Sequence, residues 1–113
     1  MTLKDFFKKT YPHEKEDISR DYHVRPPIIC NDGFKFSVQA SKGHYCAPRR
    51  MIEDENETYY EAEIGYPSEV EPLIMEFAEE PVYTNTVYPY VPTSIIEQVL
   101  EKHGGIDVEK TFG

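Results

Sequence analysis

Only two cysteines, Cys30 and Cys46, occur in these 113 residues, and no Cys-x-x-Cys or His-x-x-x-His knuckle accompanies them. A disulfide framework is therefore not expected, and a structural zinc site has little to build on. No apolar run is long enough to cross a bilayer, and the N-terminus, MTLKDFFKKT, is charged throughout rather than shaped as an export segment. A cytosolic protein with reduced thiols is expected. The chain also lacks a Gly-x-Ser-x-Gly elbow, a His-Glu-x-x-His pair and a Gly-rich phosphate loop. Repeats, low-complexity tracts and linkers are absent too, so residues 1–113 read as a single domain.

Basic residues are scarce in one half only. Residues 1–50 hold ten Lys/Arg against six Asp/Glu, whereas residues 51–113 hold two against fifteen. The second half disfavours a phosphate backbone, so direct nucleic-acid binding is not expected; the first half can attract small anions. Hydrophobic content of 39% and charged content of 29% fit a globular chain and not a disordered one.

What is present organises around residues 28–41, IICNDGFKFSVQAS. This stretch reads as a β-hairpin. An apolar run meets a tight turn at Asn31, Asp32 and Gly33, residues that tolerate positive φ. Strict alternation follows: Phe34, Phe36, Val38 and Ala40 on one side, and Lys35, Ser37, Gln39 and Ser41 on the other. Before it, residues 2–9 predict a short helix with Thr2 and Asp5 as a capping box and Leu3, Phe6 and Phe7 as its apolar stripe. Residues 11–22 read as a polar loop or arm. A first strand is expected over 23–30, at a sheet edge or pairing only after Pro26 and Pro27, which lack N–H donors.

Beyond the hairpin, residues 42–51 form a loop and residues 53–57 an exposed acidic run. A third strand is expected over 58–66. A helix is expected from Ser68 until Pro81 ends it, with Glu71 completing a capping box and Val70, Leu73, Ile74 and Phe77 facing the sheet. A fourth strand spans 82–91, where Pro89 marks an edge or a bulge. The last helix opens at 92–94, with Ser94 and Glu97 as a capping box, and stops at Gly104 and Gly105. Residues 106–113 read as a flexible or docking tail. The order predicts an α+β fold: a small antiparallel sheet of about four strands built on the central hairpin, with two or three short helices packed on it.

Several residues carry candidate chemistry. Cys30, His44 and Cys46, with His23, are weak candidate metal ligands, and no metal or other cofactor is expected. Cys46 near His44, Arg49 and Arg50 could have an activated thiol, but a single Cys–His pair is a thin basis for catalysis, and the protein is expected to be non-enzymatic. His23, Arg25, Lys42, His44, Arg49 and Arg50 all flank the hairpin, whose polar face carries Ser37, Gln39 and Ser41. Tyr22 and Tyr45 could stack on a base, and arginine forks suit phosphate. His23, Arg25, Ser37, Gln39, His44, Tyr45, Arg49 and Arg50 are therefore the candidate ligand-binding set, for a small nucleotide-like anion. The acidic half, which also holds six of the nine tyrosines, offers the alternative of a surface that mimics nucleic acid or of a partner-binding face. Its ordinary role is to cover the sheet.

Some of these segments also form a wider pattern. Tyr22-His23-Val24-Arg25-Pro26, Asn31-Asp32-Gly33-Phe34, Ser37-Val38-Gln39-Ala40-Ser41, His44-Tyr45-Cys46 with Pro48-Arg49, Val91-Pro92 and Lys102-His103-Gly104-Gly105 resemble small accessory proteins of tailed bacteriophages and prophages. The resemblance covers most of the chain and carries over no catalytic residue. It implies a setting: the cytoplasm of an infected bacterial host, and a non-virion role such as countering host defence. Two mechanisms fit that setting. One is sequestration of a nucleotide signal by an oligomeric binding protein. The other is an anti-CRISPR-type inhibitor that meets a host defence protein through the acidic Tyr-rich surface.

Overall fold

The computed structural model describes residues 1–12 and 23–113. Helix α1 spans Leu3–Lys9, and its capping box is made as expected: Asp5 N–H donates to Thr2 Oγ1 (3.1 Å) and Thr2 N–H to Asp5 Oδ2 (3.0 Å). The strands are β1 (Ile28–Ile29), β2 (Lys35–Gln39), β3 (Glu61–Gly65) and β4 (Val87–Pro92). They form one antiparallel sheet in chain order, β1-β2-β3-β4. Helix α2 (Thr93–Lys102) follows β4 directly, and α3 (Val108–Phe112) closes the chain.

The hairpin turn forms where the sequence places it. Cys30 N–H donates to Phe34 O (2.8 Å), Gly33 N–H to Cys30 O (2.9 Å), and Gly33 takes φ +96°. Phe36, Val38, Ala62, Ile64, Tyr88 and Val91 supply the inner face of the sheet. They share one core with Leu3, Phe6 and Phe7 of α1 and Ile96, Val99 and Leu100 of α2. Each such aliphatic or aromatic side chain contributes roughly 1.5–3 kcal/mol by leaving water.

Four expectations are corrected. The first strand is confined to Ile28–Ile29, because Pro26 and Pro27 offer no donors and pairing starts only after them. The helix expected between Ser68 and Pro81 does not form. Ser68 Oγ accepts from Lys35 N–H (2.9 Å) and Ser68 N–H donates to Lys35 O (2.8 Å), so Ser68 extends the β2 edge rather than capping a helix. Glu71 turns inward, Pro72 lacks a donor, and only a 3-10 turn at Met75–Phe77 remains. At the start of α2 no Ser94–Glu97 box is made; Pro92 stands at the cap and Thr93 Oγ1 donates to Tyr59 O (3.1 Å). The polar side of β2 is only partly open: Lys35 is exposed, but Gln39 and Ser41 are buried.

The tail docks on its own chain. Ile106 bridges Cys30, and Asp107 caps α3 by accepting from Lys110 N–H (2.9 Å). The Thr111 hydroxyl accepts from Ile29 N–H (3.0 Å) and lies 3.2 Å from Ile29 O, so a side chain closes the outer edge of β1. Phe112 packs against Phe6, ring centroids 6.0 Å apart. Residues 13–22, including Tyr22 and most of the expected arm, lie outside the described residues. Among the described residues no helix is long and apolar enough to cross a membrane.

Candidate functional site

The residues flanking the hairpin divide into an inner and an outer set. Arg25 is 2% exposed. Its Nε donates to Thr10 Oγ1 (2.9 Å), its Nη1 donates to Ala40 O, and its guanidinium lies over the Phe7 and Tyr59 rings (5.2 and 5.9 Å). Burial pulls its pKa down, against the nearby Tyr59 hydroxyl. Gln39 holds the Arg25 backbone at two points: Oε1 accepts from Arg25 N–H (2.7 Å) and Nε2 donates to Arg25 O (2.9 Å). The same Nε2 donates to Ser37 Oγ (2.9 Å). A side-chain amide thus substitutes for the strand pairing that Pro26 and Pro27 prevent. His23 Nε2 donates to Thr10 O (2.8 Å).

His44 is 1% exposed, with Nδ1 2.6 Å from Ser41 Oγ, and that oxygen also accepts from Gly43 N–H (3.2 Å). Burial, then the charges of Arg25, His23 and Arg49, push the His44 pKa down to about 4, so the ring is neutral at pH 7. The pair has the spacing of a nucleophile and its base, yet both residues are closed to solvent and brace the turn after β2. Cys46 Sγ donates to Ser41 O (3.2 Å), and burial raises its pKa. Burial, with Asp32 adding, raises the Cys30 thiol to about 12. Neither thiol has the lowered pKa of a reactive cysteine. Among the described residues no group of three or more His, Cys, Asp or Glu is placed to hold a metal ion.

The outer set gathers on the open face of the sheet. β4 carries a bulge: Ala62 pairs with Val91 and Ile64 with Tyr88, so Pro89 and Tyr90 both stand opposite Glu63. Tyr90 takes φ +53°, a conformation that disfavours a bulky side chain and that turns its ring outward, 41% exposed. The loop after β2 meets this bulge. Tyr90 N–H donates to Tyr45 O (3.1 Å), and Tyr45 N–H donates to Glu63 Oε1 (3.1 Å). The Tyr45 ring, 43% exposed, lies 5.7 Å from the Tyr90 ring with the Arg49 guanidinium over it at 5.2 Å. Arg49 Nε donates to Lys42 O (3.0 Å), which fixes the fork while its terminal amino groups meet no partner among the described residues. Backbone bonds of Ala47, following Cys46 and joined to Pro48 by a cis peptide, tie this loop to Glu61 of β3.

Of the expected binding residues, then, Tyr45 and Arg49 come together at the surface. Arg25, Gln39 and His44 are buried, and His23 and Ser37 are half-buried. Arg50 points elsewhere and pairs with Glu57 in an exposed ion pair. Near that pair a groove of about 190 Å³ is lined by Lys4, Phe7 and Lys8 of α1 and by Ile52, Glu53, Asp54, Glu55, Glu57 and Tyr59. The acidic run therefore shares this groove with lysines of its own chain. Sequence reasoning left Glu63 and Tyr90 out of the site. Pro89 inside a strand was their one signal, since a proline there implies a bulge and a bulge re-aims side chains.

A second buried ion site lies at the other end of the sheet. His103 Nδ1 is 2.6 Å from Asp32 Oδ2, and its Nε2 is 2.7 Å from Glu71 Oε1. Glu71, 1% exposed, also accepts from Lys102 Nζ (2.9 Å) and Leu73 N–H (3.0 Å). Phe34 stacks on the imidazole at 4.0 Å. Burial alone would lower the His103 pKa, but the bonds to Glu71 and Asp32 outweigh it and raise the pKa. With a carboxylate at each nitrogen the ring acts as a doubly donating cation that clasps α2 to the hairpin turn and the 71–74 turn.

Comparison of the chain with family models, with curated proteins and with solved structures finds no match.

Proposed function

We propose that this protein is a non-enzymatic binding protein that retains a nucleotide-like anion on the outer face of its sheet. One observation carries the reading: an exposed Tyr45 ring with the Arg49 guanidinium over it at 5.2 Å and the ring of Tyr90, a bulge residue at positive φ, 5.7 Å away. A guanidinium laid on an aromatic ring offers its other face to a further planar group, and its terminal N–H groups suit phosphate oxygens. Tyr45 and Arg49 would hold the ligand, Tyr90 would extend the platform, and Arg25, Gln39 and His44 would keep the loop in place. Joined to the resemblance to phage accessory proteins, the reading is sequestration of a host nucleotide signal, an anti-defence role in the host cytoplasm.

Native mass spectrometry of the protein recovered from a bacterial lysate tests this. The expected result is a nucleotide-sized adduct on the wild-type protein that is absent from Arg49→Ala. A bare wild-type protein would remove the reading, and an adduct unaffected by Arg49→Ala would remove the site.

A further inference from the structure

We propose that Glu63 makes this site selective for a base that presents adjacent N–H donors on one edge, as guanine does, over one that presents an acceptor there. The inference rests on the nucleotide reading above. It comes from where the bulge puts this carboxylate. Glu63 lies in the middle of β3, paired with Gln39 of β2 on one side and facing both residues of the Pro89–Tyr90 bulge on the other. It is half-buried, and Oε1 is fixed by the N–H of Tyr45, the residue whose ring forms the platform. The second oxygen has no partner among the described residues.

Sheet position, bulge and loop thus orient one carboxylate at the root of an aromatic–guanidinium stack. A carboxylate is acceptor-only. Beside a stacked base it accepts two parallel N–H bonds from guanine, whose ring N–H and exocyclic amine point the same way. Adenine places an acceptor nitrogen at the equivalent ring position and would set a lone pair against the anion. Hypoxanthine keeps the ring N–H and lacks the amine, so it would rank between them. A site that hydrogen-bonds its ligand rejects an analogue that leaves the site's polar group unpaired far more strongly than an apolar pocket rejects a changed shape. The charges divide accordingly: Glu63 addresses the base, whereas Arg49 addresses the phosphate.

The test is calorimetric titration of the wild-type protein with guanosine, inosine and adenosine monophosphates, repeated on Glu63→Gln. The amide keeps an oxygen for Tyr45 N–H, so the fold is expected to survive; the wild-type ranking is informative without the variant. The expected result is guanosine tighter than inosine and inosine tighter than adenosine, with about tenfold or more between first and last, and loss of that order in Glu63→Gln. Equal binding of the three nucleotides by the wild-type protein would overturn the role of Glu63 and leave the nucleotide site standing. An order unchanged in Glu63→Gln would do the same. Binding of none would overturn both.

Discussion

Arg25 and Arg49 flank the same hairpin, yet they do opposite things. Arg25 is buried, with donors directed to Thr10 and Ala40 and its plane against Phe7 and Tyr59. Arg49 is exposed, anchored by one bond to Lys42 O, with its plane on an exposed Tyr45. The first arginine is consumed by its own chain and stabilises it; the second is positioned by the chain and still available. A cation near a turn becomes structural or functional according to how many of its donors the fold itself satisfies.

The contrast can be broken most forcefully at Arg25. Arg25→Ala is expected to destabilise the protein by about 3 kcal/mol, because it leaves the buried Ala40 O without this donor, removes the bond to the half-buried Thr10 Oγ1 and opens space beside the Phe7 and Tyr59 rings. Urea unfolding checks this; a loss within about 0.5 kcal/mol would show that the inner network is dispensable. Next comes the second buried cation. Glu71→Ala is expected to cost about 2 kcal/mol or more, since it removes the acceptor of His103 Nε2, Lys102 Nζ and Leu73 N–H together, and the same unfolding curve measures it.

The pH dependence sharpens the comparison between buried rings. His103 has a raised pKa, so its contribution is complete below its unfolded value near 6.5 and is lost as pH climbs through its folded value. His44 is depressed to about 4 and is neutral when folded; the unfolded chain takes a proton there first, so stability falls as pH drops from 6.5 toward 4. Asp32 is lowered by the Phe34 N–H bond and by His103, and Glu71 by its hydrogen bonds against burial. Their contributions also vanish in acid. Stability is therefore expected to peak near pH 6.5. His103→Gln should flatten the alkaline limb and His44→Gln the acid limb, as read from melting temperatures across pH; a wild-type profile level from pH 5 to 8 would contradict both assignments.

The smallest stability effects belong to the outer set. Arg49→Ala and Tyr45→Ala are expected to change stability by less than about 1 kcal/mol, while abolishing the nucleotide adduct. Arg50→Ala, which breaks only the exposed pair with Glu57, should alter stability by about 0.5 kcal/mol or less and leave the adduct intact. Loss of the adduct in Arg50→Ala would move the site toward the groove beside α1.

Much of this fold was legible in the chain. The hairpin, the capping box of α1, the limits of α2 and the Pro89 irregularity follow from local patterns. The helix expected between Ser68 and Pro81 misleads because its pattern of Ser68, Glu71, Val70, Leu73, Ile74 and Phe77 is a fair helix signal; what overrides it is Glu71, drawn inward by His103, a residue thirty-two positions away. The site was legible only in type. Tyr45 and Arg49 could be named from composition near the turn, but nothing local distinguishes Arg49 from Arg25, because burial depends on where Thr10, Phe7 and Tyr59 arrive. Glu63 looks like any outward residue of an alternating strand until the bulge sets Tyr90 beside it.

The most direct measurement is a nuclear magnetic resonance titration of the protein with guanosine monophosphate. The expected result is saturable shifts at Tyr45, Arg49, Glu63 and Tyr90, with Arg25, Gln39 and His103 nearly still. No saturable shift at the outer face, or shifts confined to Lys4, Lys8 and residues 53–59, would contradict it.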